Sequence, residues 1–369
     1  SAVRNMAFFS HGSKHNLATF LSDGRLCIVE LPEIDMWEEL EGTEVSVEAA
    51  SCDIGFGSFT HLAWLDSHVL LSVSHFTFNH VNCSLGNFSG KDGLPAYYLQ
   101  EIQVMCSEDH KPGPVTSTGW QAKISNQISV EERVIGIIPG PLNRCSAYIQ
   151  FDGGKIVQYL SKLGGNRMVP LQKCDDMCFS SSCPWMTLAL SGGFMSQKAL
   201  LFGLDDNGRL QVGRRILCDN CSSFSFYSNA TDQSITHLIL STKQDLLFIV
   251  DIADIQNEQL AVKYGNFLPA FKTRTGDDGR NYINIWERGA RVIGVLHGDE
   301  SAVIIQTIRG NLECVYPRKL ILASIINALV QGRFRDALYM IRRHRIDFNV
   351  IVDHCGWKAF IQSDRKSVV

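Results

Sequence analysis

The sequence lacks the features that mark most enzymes and membrane proteins. No apolar run approaches the roughly 18 residues of a membrane-spanning helix, and the N-terminus shows no signal-peptide pattern. Phosphate-binding loops, nucleophile elbows and zinc-protease motifs are also absent from it. We therefore expect a chain that is not an enzyme and that needs no cofactor and no metal.

The sequence also has no large net charge of either sign. The net charge is −4 over 369 residues, with 45% hydrophobic and 20% charged residues, which is an ordinary globular composition. Such a balance gives no overall attraction to nucleic acid or to an anionic membrane. Any binding of that kind has to be local.

Twelve cysteines are scattered along the chain. Because no secretory signal accompanies them, we expect reduced thiols, several of them in the core, and a cytoplasmic or also nuclear location. Cys218 and Cys221 form a C-x-x-C pair downstream of Cys174, Cys178 and Cys183, a spacing that zinc can use. The matched second pair of a zinc site is missing, so free thiols are the favoured interpretation.

A β-hairpin unit recurs six times before the chain becomes helical. Each copy has an apolar strand and then two alternating strands, and short polar turns such as Asp23-Gly24 and Asn207-Gly208 join several of these pairs. The copies lie at residues 5–31, 59–105, 133–160, 185–212, 222–252 and 291–317. Single strands between copies, at Trp120–Val130 and Tyr264–Thr275, are interpreted as fourth strands.

This repeat predicts a mainly β fold. Units of this kind cannot bury both faces alone, and radial packing covers those faces while leaving only short edges. We predict a divergent WD40-like β-propeller of six or seven blades over residues 1–316. The alternative is a β-sandwich or two smaller all-β domains, since the copies are spaced irregularly and no Trp-Asp dipeptide occurs.

The pattern changes from strands to helices at Pro317. Apolar spacing predicts one helix to about Val330, a second that begins near Phe334 and a short third around Phe348–His354. Alternating short antiparallel helices are the unit of α-solenoids. Residues 317–369 are therefore predicted to begin a TPR-like helical-repeat arm, which is truncated here.

The same segment holds the one conspicuous cluster of charge. Residues 318–345 contain seven Arg or Lys residues against a single Asp. The candidate contacts for RNA phosphate or for an acidic partner are Arg318, Lys319, Arg335, Arg342 and Arg343. The alternative is a solvated helix surface with arginines near a helix C-terminus, where the dipole favours them.

Several stretches resemble a known family, the largest, scaffold subunit of the Elongator complex (the IKAP family). The stretches that carry the resemblance are Arg309–Glu313, Phe334–Leu338, Arg342–Ile346 and Asp353–His354, with weaker matches at Leu62–Leu65, Val69–His75 and Ser222–Phe224. The resemblance implies two N-terminal WD40-type propellers, a long helical-repeat arm and a dimerisation region. This chain would hold only the second propeller and the first helices, as a fragment without the dimerisation region.

The resemblance also implies a function and partners. The family's scaffold holds a radical-SAM and acetyltransferase-like catalytic subunit and a WD40 partner subunit. The assembly modifies wobble uridines of tRNA and is linked to RNA polymerase II transcription elongation. This chain would then contact tRNA indirectly or weakly. Two other functions stay open: a scaffold of a vesicle coat or nuclear pore, and RNA binding through the Arg-rich helix at residues 333–345.

Overall fold

The structure is a computed structural model, and its two compact units, Ser1–Met186 and Thr187–Val369, are described separately. The residues it describes are 2–11, 14–31, 49–53, 58–76, 96–106, 120–140, 145–161, 171–173, 177–192, 198–228, 234–256, 282–284, 288–296 and 301–356. The predicted domain boundary between residues 316 and 317 stays a prediction.

Among its described residues, the first unit contains three antiparallel sheets of four strands each. Sheet A consists of β1 (Val3–His11), β2 (Lys14–Leu21), β3 (Arg25–Leu31) and β4 (Ala49–Asp53). Sheet B consists of β5 (Ser58–Asp66), β6 (Val69–Phe76), β7 (Ala96–Cys106) and β8 (Trp120–Val130). Sheet C consists of β9 (Val134–Pro139), β10 (Ser146–Phe151), β11 (Ile156–Leu160) and β12 (Leu171–Lys173).

These sheets pack face to face through apolar side chains. Phe20 and Leu26 of sheet A share one core cluster with Trp64 of sheet B. The other face of sheet B shares a second cluster with sheet C, in which Leu71 and Ile149 are fully buried. Sheet B is therefore covered on both faces, as propeller-type packing requires.

In the described part of the second unit, two further four-stranded sheets are followed by a three-stranded one. Sheet D consists of β13 (Trp185–Ser191), which starts two residues before the unit boundary, β14 (Lys198–Leu204), β15 (Leu210–Val212) and β16 (Arg215–Cys218). Sheet E consists of β17 (Cys221–Ser228), β18 (Ile235–Thr242), β19 (Leu246–Asp251) and β20 (Tyr282–Asn284). Sheet F consists of β21 (Arg291–Val295), β22 (Val303–Gln306) and β23 (Leu312–Val315).

Four α-helices lie among the described residues of this unit. They are α1 (Ile252–Gln256), α2 (Arg318–Val330), α3 (Phe334–His344) and α4 (Asn349–Cys355). None of the described helices is both long and apolar enough to cross a bilayer. The last three confirm the predicted change from strands to helices at Pro317, whereas their membership of an α-solenoid stays a prediction.

The predicted mainly β fold is confirmed, with six sheets among the described residues. The predicted strand at Trp120–Val130 is β8, whereas Tyr264–Thr275 lies outside the described residues. Strand β16 and helix α1 were not predicted, because each has only four or five residues and no readable periodicity. The number of blades in the whole propeller stays a prediction.

The predicted turn at Asn207-Gly208 shows how a short sequence signal sets strand register. The Asp205 carboxylate accepts the backbone N–H groups of Asn207 at 3.0 Å and of Arg209 at 2.8 Å. Gly208 has a φ of +89°, and a Cβ there would lie 2.8 Å from the carbonyl oxygen of Cys221. Only glycine fits this turn, which directs β15 back along β14.

A buried glutamine in the first unit satisfies the backbone hydrogen-bonding groups of a residue outside the strands. The Gln150 side chain donates to the Cys183 carbonyl at 2.8 Å and accepts from the Cys183 N–H at 2.6 Å. We expect Gln150→Leu to lower the free energy of unfolding by about 2 kcal/mol, because it orphans two buried backbone groups. Chemical denaturation measures the loss. The control is Gln158→Leu at a half-buried position of β11, and an equal loss in both variants would contradict the assignment.

Candidate interaction surface on the helical hairpin

The helical hairpin consists of α2, α3 and the turn between them. Pro317 precedes α2, and its carbonyl accepts the N–H groups of Leu320 at 3.0 Å and Ile321 at 3.1 Å. The turn uses Gly332, with a φ of +72°, and the N–H of Arg333 returns to the carbonyl of Ala328 at 2.8 Å. A proline at the start and a glycine at the end thus fix the length of α2.

An ion pair connects α2 with sheet E. The Lys319 ammonium lies 2.9 Å from Oδ2 of Asp251, the last residue of β19, and donates to the Ile249 carbonyl at 3.3 Å. The other carboxylate oxygen of Asp251 is 2.9 Å from Nε2 of the buried His237. The hydrogen bond with His237, together with the contact to Lys319, holds the pKa of Asp251 well below its usual value.

Three buried hydroxyl groups form a second attachment point for α2. The Tyr227 hydroxyl of β17 lies 2.5 Å from the Ser324 hydroxyl of α2 and 3.3 Å from that of Ser301. Ser301 and Ser324 are hydrogen-bonded to each other. Leu320 completes the contact within the apolar core between sheets E and F. The helix is therefore packed against the sheets of its own unit by apolar, ionic and hydrogen-bonded contacts.

One side of α3 is a basic face, which we define as Arg335, Tyr339, Arg342 and Arg343. All four residues are exposed, and their spacing of three or four residues places them on one side of the helix. The Tyr339 side chain is 57% exposed. The opposite side of α3 is apolar and packs into the hairpin core.

Tyr339 was not among the predicted site residues. The Arg335 guanidinium lies over its ring, 5.5 Å from the ring centroid, and a guanidinium nitrogen is 3.4 Å from its hydroxyl. The hydrogen bond and the charge of Arg335, with a smaller contribution from Arg342, lower the pKa of the Tyr339 phenol. A tyrosine four residues after an arginine on a helix was the available signal, because that spacing stacks the two side chains.

Of the five predicted contact residues, three lie on α3 and two lie at the start of α2. Arg335, Arg342 and Arg343 lie together on the basic face. Arg318 is exposed at the start of α2, and a ring contact of 5.4 Å between Tyr316 and His344 brings that end of α2 to the end of α3. Lys319 faces sheet E instead. Whether any of these residues touches RNA or a partner stays a prediction.

The acidic residue within the hairpin is engaged internally. The Arg333 guanidinium lies 2.9 Å from Oδ2 of Asp336, and it also donates to the Gln331 side chain at 2.8 Å. Asp336 is therefore paired with Arg333. The hydrogen bond with Tyr339 is the main cause of the raised pKa of the neighbouring Arg335, to which the charge of Asp336 makes only a small contribution. The arginines near the end of α3 also interact favourably with the helix dipole, so a purely structural role accounts for part of their presence.

The C-x-x-C pair has the environment of buried thiols. Cys218 ends β16 and Cys221 starts β17, and both are buried. Burial raises the pKa of Cys218 to about 11 and that of Cys221 well above its ordinary value, so both stay protonated at neutral pH. Within the described ranges, no three His, Cys, Asp or Glu side chains are grouped as a metal site; Cys174 lies outside them.

Within each of the two units, antiparallel sheets pack face to face, which is consistent with the class of β-propeller proteins. The family described as ELP1 N-terminal second beta-propeller matches residues 1–293, and the chain belongs to this family. The family membership expected from the sequence is therefore confirmed.

The relatives are subunits of one complex. The chain is 50% identical to Elongator complex protein 1 of Arabidopsis thaliana over 366 residues, 98% of this chain and 27% of that protein. It is 24% identical to putative elongator complex protein 1 of Xenopus laevis over 315 residues, 85% of this chain and 23% of that protein. The chain spans about a quarter of the length of these relatives.

A solved structure with some similarity is Sqt1 of Saccharomyces cerevisiae. It has a TM-score of 0.44 and 11% sequence identity, with 86% of this chain and 83% of that chain covered. The family assignment does not rest on this likeness.

The contact between Asp251 and Lys319 predicts a specific dependence of stability on pH. Because the pKa of Asp251 is lower in the folded chain, its contribution is present above the unfolded pKa of about 4 and is lost as the pH falls below it. We expect Asp251→Asn to lower Tm at pH 7, and the difference from wild type to shrink below about pH 4. Thermal unfolding between pH 3 and pH 7 measures this, with Asp353→Asn on the exposed side of α4 as control; a difference that is constant with pH would contradict the account.

Proposed function

We propose that this chain is a non-catalytic scaffold within the Elongator complex, and that it helps to hold the radical-SAM catalytic subunit and the WD40 partner subunit during modification of tRNA wobble uridines. The observation that carries the proposal is the 50% identity to Elongator complex protein 1 over 98% of the chain. A link to transcription elongation and a cytoplasmic, also nuclear, location belong to the same proposal. The same proposal places dimerisation outside the residues of this chain.

The basic face of α3 is the proposed contact with a partner subunit. Its three arginines project from α3, which packs on α2 through a shared apolar cluster. Because Lys319 and the hydroxyl cluster hold α2 against the sheets, little conformational freedom of the hairpin is lost on binding. Arginine is enriched in interface hot spots because its planar guanidinium group can donate two parallel hydrogen bonds to one carboxylate. The Arg335–Tyr339 pair adds a preformed contact of the kind that interfaces favour.

Charge reversal on the basic face tests this assignment. We expect Arg335→Glu, Arg342→Glu and Arg343→Glu together to reduce co-purification of the catalytic and WD40 subunits by about tenfold or more, because three favourable charge contacts become repulsive. Affinity purification followed by quantitative mass spectrometry measures the loss. The matched control is Arg4→Glu, Lys123→Glu and Lys198→Glu, which changes the charge equally at exposed positions elsewhere.

The outcomes separate the proposed functions. Equal recovery of both subunits with the reversed and control variants would remove the basic face from the interface while leaving the scaffold function intact. Recovery of the wild-type chain only with vesicle-coat or nuclear-pore components would contradict the Elongator assignment itself.

Direct RNA binding through the basic face is the second candidate. The exposed arginines on one helix side favour it, although the Arg335 guanidinium already covers the ring of Tyr339 on which a base would stack. Three phosphate contacts predict a log–log salt slope of about −2 to −3 for tRNA binding. Filter binding at several salt concentrations measures the slope. The triple charge reversal should abolish this binding, and unchanged tRNA affinity in that variant would exclude the site.

A further inference from the structure

The turns at one end of sheets E and F present an exposed isoleucine. Ile308 lies in the turn between β22 and β23, which is closed by a hydrogen bond of 2.9 Å from the Gly310 N–H to the Thr307 carbonyl. Its side chain is 73% exposed. A single exposed apolar side chain needs no explanation by itself, but the groups around Ile308 set it apart.

The Ile308 side chain rests on a glycine in the segment that leads from sheet E to sheet F. Gly289 has a φ of +74°, and a Cβ there would lie 2.7 Å from Cδ1 of Ile308. The Gly289 N–H donates to the Asp245 carboxylate at 2.7 Å, and Asp245 belongs to the turn between β18 and β19. Three segments of chain are thus linked beneath the isoleucine. A side chain held on such a base loses little freedom when a partner covers it.

Three cations flank Ile308. Arg309 follows it in the same turn, Arg288 precedes the supporting glycine, and Lys243 lies in the turn between β18 and β19; all three side chains are exposed. The Lys243 ammonium donates to the Asn207 carbonyl in the turn of sheet D at 2.7 Å. This bond fixes the position of the ammonium group, which keeps two further N–H donors.

This combination of groups specifies the chemistry of a ligand. Protein interfaces have an apolar centre and a polar rim, and an apolar side chain among three cations is complementary to an acidic surface with an apolar contact at its centre. RNA fits less well, because isoleucine offers no flat ring on which a base can stack. The exposed carboxylates of Asp206 and Asp219 lie on the turns of sheet D, so the site is limited to sheets E and F.

We infer that Ile308, Arg309, Arg288 and Lys243 form a docking site for an acidic segment of a partner protein, which we call the turn site. An apolar side chain of that segment packs on Ile308, and carboxylates on either side of it pair with the three cations. The turn site shares no residue with the basic face of α3. The inference therefore does not rest on the proposed function.

Carbodiimide coupling tests the chemistry of the partner. The reagent joins an ammonium group to a carboxylate that is in direct contact with it, so Lys243 is the informative residue. The assembly that contains the native-length protein is purified from its native cells and coupled, and the cross-linked peptides are identified by mass spectrometry. We expect Lys243 to be joined to an aspartate or glutamate of another protein, in a segment that has further acidic residues around an apolar one. Lys123 and Lys198, exposed outside the turn site, are the reference lysines.

A substitution at the centre of the turn site provides a second measurement. We expect Ile308→Asp to lower the yield of this cross-link by about tenfold, because it removes the apolar contact and places a carboxylate against the acidic segment. The matched control is Ile308→Leu, which keeps an apolar side chain and the charge, and for which little change is expected. Because the position is exposed, neither variant should lower Tm appreciably.

Three results would overturn the inference. One is the absence of any cross-link from Lys243 to another protein. Another is a yield that Ile308→Asp leaves unchanged. The third is protection of Lys243 from acetylation, relative to the reference lysines, that nuclease treatment removes; this result would assign the turn site to RNA.

Discussion

Most of this chain depends on one constraint: an antiparallel sheet with apolar side chains on both faces has to be covered twice. Sheet B meets the requirement in full, because Trp64 is buried against sheet A and Leu71 against sheet C. In the second unit the same principle joins sheet D to sheet E and sheet E to sheet F through buried residues such as Phe202 and Val303. A sheet that is apolar on both faces is covered only by its neighbours, so the stability of each sheet depends on the sheets beside it.

The helical hairpin depends on the sheets in the same way. Helix α2 is apolar around much of its circumference, and it buries one side against sheets E and F and another against α3. The Lys319–Asp251 contact and the hydroxyl groups of Tyr227 and Ser324 fix its position. This attachment gives the basic face a rigid base. A surface that is held in one orientation is what a scaffold contributes to its partners.

Local signals predicted much of the fold. The Asn207-Gly208 turn could be predicted because a positive φ together with the close approach of the Cys221 carbonyl requires glycine there. Pro317 marked the start of the helices for an equally local reason. Heptad spacing correctly placed Arg335 and Arg342 on one side of a helix. Short elements such as β16 (Arg215–Cys218) escaped prediction, because four residues carry no measurable period.

Contacts between distant parts of the chain could not be predicted from the sequence. Lys319 was interpreted as a surface contact, yet its structural partner Asp251 lies 68 residues earlier, and nothing local to either residue indicates the pairing. Tyr339 was not predicted for a different reason: the basic cluster is defined by Arg and Lys residues, and a tyrosine four residues after Arg335 does not belong to that pattern.

The central claim is that the basic face of α3 is where this chain meets a protein partner in the Elongator complex. The most direct measurement replaces Tyr339, 57% exposed at the centre of that face, with a photo-crosslinking amino acid in the native-length protein. The cross-linked species are then identified by mass spectrometry. The account predicts cross-links to the catalytic or the WD40 subunit of Elongator. Cross-links to RNA alone, or none in an intact complex, would contradict it.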